Sequence, residues 1–181
     1  QEAGLNRMIW DMNYPDVVPV EGKPAPGIIV QAPVGTYKAQ LTVNGETETQ
    51  SFELRMNPNE AYTKEDSVER FELWWRLRSI YERANKEITA AMKMAEAAGE
   101  DSEVANRAAE FAGKLVPQGA TLSEIANEPP KLLSKLTSVN SLLFHSEGPP
   151  PASAYAVVDE FEQKIDATIA DWKAFSASQK N

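Results

Sequence analysis

The hydrophobic pattern of the chain changes its period near residue 60. Before Pro58 the apolar residues alternate with polar ones, which is the period-two pattern of strands that bury one face. The stretch up to and including Pro58 holds six of the twelve prolines in the chain. From Thr63 onward the apolar residues recur every three or four positions, as they do in amphipathic helices. We therefore predict an α+β chain with two parts, a β part at residues 1–60 and a helical part at residues 61–181.

A hairpin is the clearest local prediction in the β part. Its first strand, Thr36–Val43, places four apolar residues on one face: Tyr37, Ala39, Leu41 and Val43. Asn44 and Gly45 follow, and these two residue types tolerate the positive φ angles that a two-residue hairpin turn needs. Glu46–Met56 then returns as the partner strand, with Phe52 among its apolar positions.

The rest of the β part has a weaker pattern. Leu5–Met12 predicts one more strand, and a proline-rich connection, Tyr14–Pro33, follows it. Within that connection the apolar runs at 17–18 and 28–30 predict one or two short strands. Proline cannot donate a hydrogen bond to a sheet, so we expect these strands to be short or to lie at an edge.

The first helix of the helical part has a start and a stop signal. Thr63 and Asp66 have the spacing of a capping box, and Gly99 follows a continuous helical pattern that runs to Ala98. One stripe of this helix carries seven apolar residues spaced by three and four: Trp74, Leu77, Tyr81, Ala84, Ile88, Ala91 and Ala95. Such a near-heptad stripe predicts packing against other helices.

Three further helices are predicted after it. The second begins after Asp101 or Ser102 and ends near Pro117, the third begins near Pro130, and the last spans roughly Ala152–Ser178. Their predicted core positions are Val104, Ala108, Phe111 and Leu115; Leu132, Leu133, Leu136, Val139, Leu142 and Leu143; and Val158, Phe161, Ile165, Thr168, Trp172 and Phe175. Because short connections place helical neighbours antiparallel, we predict an antiparallel bundle of three to four helices.

The composition of the chain excludes several classes of partner. The net charge of -9 disfavours nucleic-acid backbones and anionic membranes, which are bound through Lys and Arg. No stretch approaches the roughly 20 apolar residues that a membrane span needs. The absence of Cys excludes disulfides and thiolate metal sites. The chain begins at Gln1 without the pattern of a signal peptide, so we expect a mature or excised fragment.

No pattern of catalytic residues is found in the sequence. His145, the single histidine, ends a Leu-rich helix, where a cation near the helix dipole is the simpler interpretation. The acidic residues between Asp159 and Asp171 interleave with the apolar stripe, as they do on a solvated helix face. The glycine-rich motifs of hydrolases and nucleotide-binding proteins do not occur. We therefore predict no catalytic residue, no metal site and no cofactor.

Four aromatic residues are candidates for a ligand-binding or interdomain surface. Trp74 and Trp75 are adjacent on the first helix and point about 100° apart, so one can enter the bundle core while the other meets the β part. Trp10 and Tyr14 flank Asp11 and Asn13, a mixture that suits a carbohydrate or a calcium ion as well as a small sheet core. Packing is the simpler interpretation of both pairs.

The predicted strand Leu5–Met12 lies within a motif that suggests a family. Gly4–Pro15 resembles the Gly-Leu-Asn-Arg-aromatic-x-Trp-Asp-x-Arg-Tyr-Pro segment near the C-termini of large exported bacterial proteins. The main body of those proteins is a BNR-repeat, sortilin-like β-propeller, often labelled glycosyl hydrolase. Ala32–Gly45 is similar to the family's Pro-Pro-Gly-Thr-Tyr hairpin, and Glu128–Leu136 and Pro149–Pro151 resemble its helical tail.

The resemblance implies a small, incomplete Ig-like antiparallel β-sandwich followed by the helical bundle. It implies an exported, non-catalytic C-terminal accessory module with a structural and protein-interaction role, whose partners are the preceding β-propeller and its upstream strands. The alternative is a carbohydrate-binding accessory module that recognises glycans through exposed aromatic residues. A free-standing glycosidase is the third hypothesis, and no residue of this chain supports it.

Overall fold

The chain has an α+β fold, seen in a computed structural model that describes residues 4, 6–59, 62–119, 122–146 and 148–179. Its strands are β1 (Asn13–Tyr14), β2 (Val30–Gln31), β3 (Gly35–Val43) and β4 (Glu46–Leu54). Its helices are α1 (Lys64–Ala98), α2 (Glu103–Leu115), α3 (Leu122–Asn127), α4 (Leu132–His145) and α5 (Ala152–Ser178). The prediction of strands followed by helices is confirmed. The described residues contain five helices, one more than the three to four predicted. The additional helix is the short α3.

The predicted hairpin forms with the predicted turn. β3 pairs with β4 in antiparallel register from Gly35 opposite Leu54 to Val43 opposite Glu46. Asn44 has a φ of 51° and Gly45 a φ of 86°, so both turn residues occupy the left-handed region. That conformation matches the twist of the two strands, which explains why the Asn-Gly pair places the turn here.

The predicted strand at Leu5–Met12 is wrong for its described residues, since residues 6–12 form no strand and Leu5 lies outside the described part. Two local features interrupt an extended conformation there. The Asp11 carboxylate accepts a hydrogen bond from the Asn13 N–H at 3.0 Å, and Met12 has a φ of 64°. Only Asn13–Tyr14 pairs, with Val30–Gln31. The described strands thus form two separate two-stranded antiparallel sheets, not a complete sandwich.

Helix α1 begins and ends where its sequence signals stand. The Thr63 hydroxyl accepts from the Asp66 N–H at 3.1 Å, and the Asp66 carboxylate accepts from the Thr63 N–H at 2.7 Å, which completes the capping box. Gly99, with a φ of 90°, follows the last helical residue. The predicted stripe is buried from Trp74 to Ala91, and Ala95 is half-buried. In α4, Leu142 is 58% exposed, contrary to its predicted core position, because Leu143 and Asn140 face the core on either side of it.

Helices α1 and α5 run parallel, contrary to the antiparallel arrangement expected for neighbours. Two hydrogen bonds between them, Glu69 with Tyr155 and Arg76 with Glu162, both join residues 86 positions apart. The ion pair of Glu87 with Lys173, further along, keeps the same order. Such a constant offset over successive turns is possible only if both helices point the same way.

Helices α2 and α4 run against this parallel pair, one after the other. Arg107 lies over Phe175 and Phe111 stacks on Trp172, so α2 runs antiparallel to the second half of α5. Lys135 lies over Phe161, in the first half of α5, and places α4 there. The 13 residues of α2 extend about 20 Å, whereas the 35 residues of α1 extend about 52 Å. A single helix of this length cannot cover α1, so α2 and α4 cover it together. The segment that contains α3 links these two helices.

The proline-rich connection is a strap, residues 15–34, that packs on the helices and joins their core. Four of its residues are buried with the helical core: Val17, Val20, Ile28 and Val30. The Asp16 carboxylate accepts the backbone N–H groups of Val17, Gly27 and Ile28 at 2.7 to 2.9 Å. Asn85 of α1 donates to the Val18 carbonyl at 2.8 Å. The strap therefore covers the side of the bundle that would otherwise expose its apolar stripe.

Candidate interaction surface

Three aromatic rings form a cluster at the base of the β3–β4 hairpin. The Trp10 ring lies 5.3 Å from the Tyr37 ring and 6.0 Å from the Phe52 ring, and Tyr37 and Phe52 stack at 5.9 Å across the strand pair. The Tyr37 hydroxyl donates to the Pro33 carbonyl at 2.5 Å. Burial of this hydroxyl raises the pKa of Tyr37. Trp10 and Phe52 nevertheless remain 41% and 39% exposed.

The apolar residues of β3 continue from this cluster to the turn, on a side of the hairpin that they share with Glu46 and Glu48 of β4. We call it the hairpin face and define it by Trp10, Tyr37, Leu41, Val43 and Phe52. Leu41 and Val43 are 61% and 42% exposed, and the residues opposite them in the register are the charged Glu48 and Glu46. Successive strand residues point to opposite sides, so the apolar residues of β3 share one side of the hairpin.

Both outer edges of the hairpin lack a neighbouring strand within the described residues. β3 and β4 pair only with each other over nine residues each. Nearly all of these residues are exposed on both sides of the hairpin. A two-stranded hairpin of this kind is marginally stable without further strands or a covered face, so the hairpin face and its edges form the candidate interaction surface.

A second aromatic cluster joins the first sheet to α1. Tyr14 of β1 lies 5.7 Å from Phe71 and 5.2 Å from Trp75, and those two rings are 5.6 Å apart. The Arg78 guanidinium lies over Trp75 at 5.7 Å. The expected contact between a helix tryptophan and the sheet is therefore made by Trp75.

Trp74 points away from this cluster and is only 2% exposed. It lines a cavity of about 200 Å³ together with Arg70, one turn earlier on α1, and with residues of the strap and the hairpin base. The four predicted aromatics thus lie in three places: Trp10 at the hairpin, Tyr14 and Trp75 at β1, and Trp74 at the cavity. Sequence reasoning missed Arg70, although its position extends the apolar stripe of α1 by one turn.

A second cavity, of about 430 Å³, lies between the strap, α1 and α4. Its wall combines prolines of the strap and of the segment after α2 with the ring of Tyr81 and the side chains of Leu133 and Thr137. The Tyr81 hydroxyl contacts the Leu133 carbonyl and the Thr137 hydroxyl. Burial raises the pKa of Tyr81, which keeps this group neutral.

Most of the acidic residues singled out in α5 serve ion pairs with α1. Glu162 pairs with Arg76 and Arg83, Asp159 with Arg76, and Asp166 with Arg83. His145 is exposed beside Phe144. Among the described residues, no group of three or more His, Cys, Asp or Glu side chains is placed to hold a metal ion. No helix in this part of the chain is both long and apolar enough to cross a membrane.

Comparison with protein-family models, with curated proteins and with solved structures finds no match to this chain. The resemblance to the C-terminal region of propeller proteins is therefore carried by the quoted motifs alone. In the structure the first motif contributes Trp10 to the hairpin cluster and Tyr14 to the contact with α1. The second motif forms β3 and its turn.

Proposed function

We propose that this chain is a non-catalytic accessory module with a structural and protein-interaction role, acting through the hairpin face. The observation that carries the proposal is that nine-residue strands expose apolar residues that a free-standing sheet would bury. Exposed apolar groups of this kind are typical of interaction sites when they lie together. The helical bundle, by contrast, buries its own apolar stripe.

The partner proposed for this face is the preceding part of the same polypeptide. By the resemblance of residues 4–15 and 32–45, that part is a BNR-repeat, sortilin-like β-propeller of an exported bacterial protein. Strands upstream of this chain would pair with a free edge of β3 or β4 and complete an Ig-like sandwich over the hairpin face. Edge pairing supplies main-chain hydrogen bonds, and the apolar side chains supply the specificity.

Hydrogen exchange tests this partner. The amides of β3 and β4 are compared between the isolated chain and the complete gene product. We expect slower exchange along one outer edge of the hairpin in the complete protein, and unchanged exchange in α1. Equal exchange in both proteins would contradict the proposal, as would an upstream sequence without recurring short-strand units.

A matched pair of variants tests the hairpin face itself. Leu41→Lys replaces an apolar residue of the face by a charged one, and Gln40→Lys places the same charge on the opposite side of the same strand. We expect Leu41→Lys alone to remove the protection of the hairpin amides in the complete gene product. The non-catalytic assignment is tested separately, because turnover of a chromogenic glycoside by the isolated chain would overturn it.

A carbohydrate-binding module is the second candidate function. The observation that favours it is the exposed ring surface of Trp10 and Phe52 beside Tyr37, since aromatic faces stack on sugars. Titration of the isolated chain with oligosaccharides, followed by tryptophan fluorescence, tests it. Saturable quenching that is lost in Trp10→Ala and kept in Trp75→Ala would favour this function over the interaction module.

A further inference from the structure

The wall of the cavity at Arg70 holds a buried guanidinium that forms no ion pair with the described residues. Arg70 is 7% exposed, and within the described part of the chain it forms no ion pair. One of its terminal nitrogens donates to the Gly148 carbonyl, and its guanidinium lies 4.9 Å from the Tyr62 ring centre and 5.8 Å from that of Trp74. These contacts orient the guanidinium without neutralising it.

The other arginines of α1 show what is missing at this position. Arg76 and Arg83 pair with carboxylates of α5, and Arg78 pairs with Glu82. Asp66, one turn before Arg70, is held in the helix cap by Thr63, and its charge interacts with that of Arg70 without an ion-pair contact. Among the four arginines of α1, Arg70 is both the most buried and the one without a described carboxylate partner. A buried charge is costly unless it is paired.

Two of the residues that line this cavity also carry a hydrogen-bond donor without an acceptor among the described residues. The Nε–H of Arg70 and the Nε1–H of Trp74 are buried, and neither has a hydrogen-bond partner in the described structure. Leaving such a donor unpaired costs free energy. The two residues lie one turn apart on the same helix, with the Arg70 guanidinium 5.8 Å from the Trp74 ring centre, so one anionic group bound beside them would be near both side chains.

The rest of the cavity wall indicates how large and how polar that acceptor is. The volume of about 200 Å³ exceeds the roughly 30 Å³ that one water occupies, and it is smaller than the roughly 300 Å³ and more of pockets for drug-sized ligands. Leu54, Pro33 and Val34 line it together with the polar residues Gln31, Asn57 and Ser67 and a second basic residue, Arg55. A small organic anion suits this mixed wall.

We propose that this cavity binds a carboxylate group, held by the Arg70 guanidinium and the Trp74 indole N–H. Arginine suits this role because its planar donors match the two oxygens of a carboxylate. The group comes either from a small free organic acid or from an acidic side chain of a bound polypeptide. The site is independent of the hairpin face and stands whether or not that face binds a partner.

The test follows the Arg70 Nε–H and Trp74 Nε1–H resonances of the unaltered chain by NMR. Propionate represents the free acid and N-acetylaspartate amide the side-chain source, with propionamide and N-acetylasparagine amide as their uncharged controls. Ionic strength is held constant with NaCl. We expect saturable shifts of both resonances with at least one acid and none with the amides, and the better binder identifies the source. No shift with either acid, equal shifts with the amides, or equal shifts with NaCl alone would overturn the proposal.

Two variants of α1 make the test specific. Arg70→Lys keeps the charge but removes the Nε–H donor and the planar geometry, and we expect binding to weaken about tenfold or more. Arg78→Lys is the matched control, because Arg78 also lies over a tryptophan and also donates to a backbone carbonyl, that of Pro15, outside the cavity. Its affinity should stay within about twofold of the parent. Equal weakening in both folded variants would contradict the site. The wild-type resonances decide the matter if Arg70→Lys does not fold.

Discussion

Glu162 of α5 holds Arg76 of α1 with one carboxylate oxygen, which lies 2.6 Å from Nη2 and 2.9 Å from Nε. Its second oxygen lies 3.1 Å from Nη2 of Arg83, about two helical turns further along α1. A single half-buried side chain therefore links two arginines of α1 and fixes the offset of the parallel helix pair. Helices that run parallel are not joined by a short loop, so this offset depends on contacts of this kind.

Glu162→Gln should lower the free energy of unfolding by about 1 to 2 kcal/mol at neutral pH, because it removes a charged acceptor from two arginines. Chemical denaturation measures the change. Glu160→Gln is the control, since Glu160 lies on the same helix and, among the described residues, forms its ion pair with Lys164 of that helix. An equal loss in both variants would contradict the bridging role of Glu162.

The same residue predicts a dependence of stability on pH. Burial acts to raise the pKa of Glu162, but the hydrogen bonds and charges of Arg76 and Arg83 outweigh it and lower the pKa. The stabilisation is then present above the unfolded pKa of about 4.3 and is lost as pH falls through the lower folded value. The difference in unfolding free energy between the parent and Glu162→Gln should shrink below about pH 4. A difference that is constant with pH would exclude this linkage.

Trp172→Ala should be among the most destabilising changes in the bundle. Trp172 is 5% exposed and stacks on Phe111 at 5.4 Å, and truncating a buried aromatic costs roughly 3 to 5 kcal/mol. We expect the melting midpoint to fall by about 6 °C or more. Phe161→Ala should cost less, because Phe161 is only half-buried, between Lys135 and Lys164. A midpoint for Trp172→Ala within a degree or two of the parent would contradict the burial of Trp172 between α5 and α2.

Gly45→Val should weaken the hairpin and leave the bundle folded. Gly45 has a φ of 86°, a conformation that costs a β-branched residue about 1 to 2 kcal/mol or more. Hydrogen exchange of the β3 and β4 amides should become faster while that of α1 stays the same. Asn44→Gly is the control, since glycine also adopts the φ of 51° found at Asn44. Slowed exchange in Gly45→Val would contradict the turn.

Asp16→Ala should release the strap from the bundle. The Asp16 carboxylate accepts three backbone N–H groups, and its removal leaves those of Val17 and Ile28 unpaired in part-buried positions. We expect a loss of about 2 to 3 kcal/mol in the free energy of unfolding. Glu21→Ala, an exposed acidic residue of the same strap, should change little. Chemical denaturation of both variants measures the contrast.

Most secondary structure was predictable because its signals are local. A capping box, an Asn-Gly turn and a stripe of period 3.6 each act within a few residues. In the structure Thr63 caps α1, Gly45 forms the hairpin turn, and the apolar stripe of α1 is buried. Leu5–Met12 shows the limit of such signals. Its alternating pattern is compatible with a strand, but a strand also needs a paired neighbour, and the turn at Asp11 and Met12 forms in its place over the described residues.

The sequence by itself determined the four longer helices, the position of the hairpin turn and the apolar stripe of α1. Only the tertiary structure decided that α1 and α5 are parallel, that α2 and α4 share one side of them, and that the strap enters the core through Val17 and Ile28. It also placed Arg70 and Trp74 in the wall of one cavity, together with residues of the strap and the hairpin base. The physical reason is that periodicity specifies what a face buries but not against which partner. Partners distant in sequence are chosen by packing and charge pairing across the whole fold.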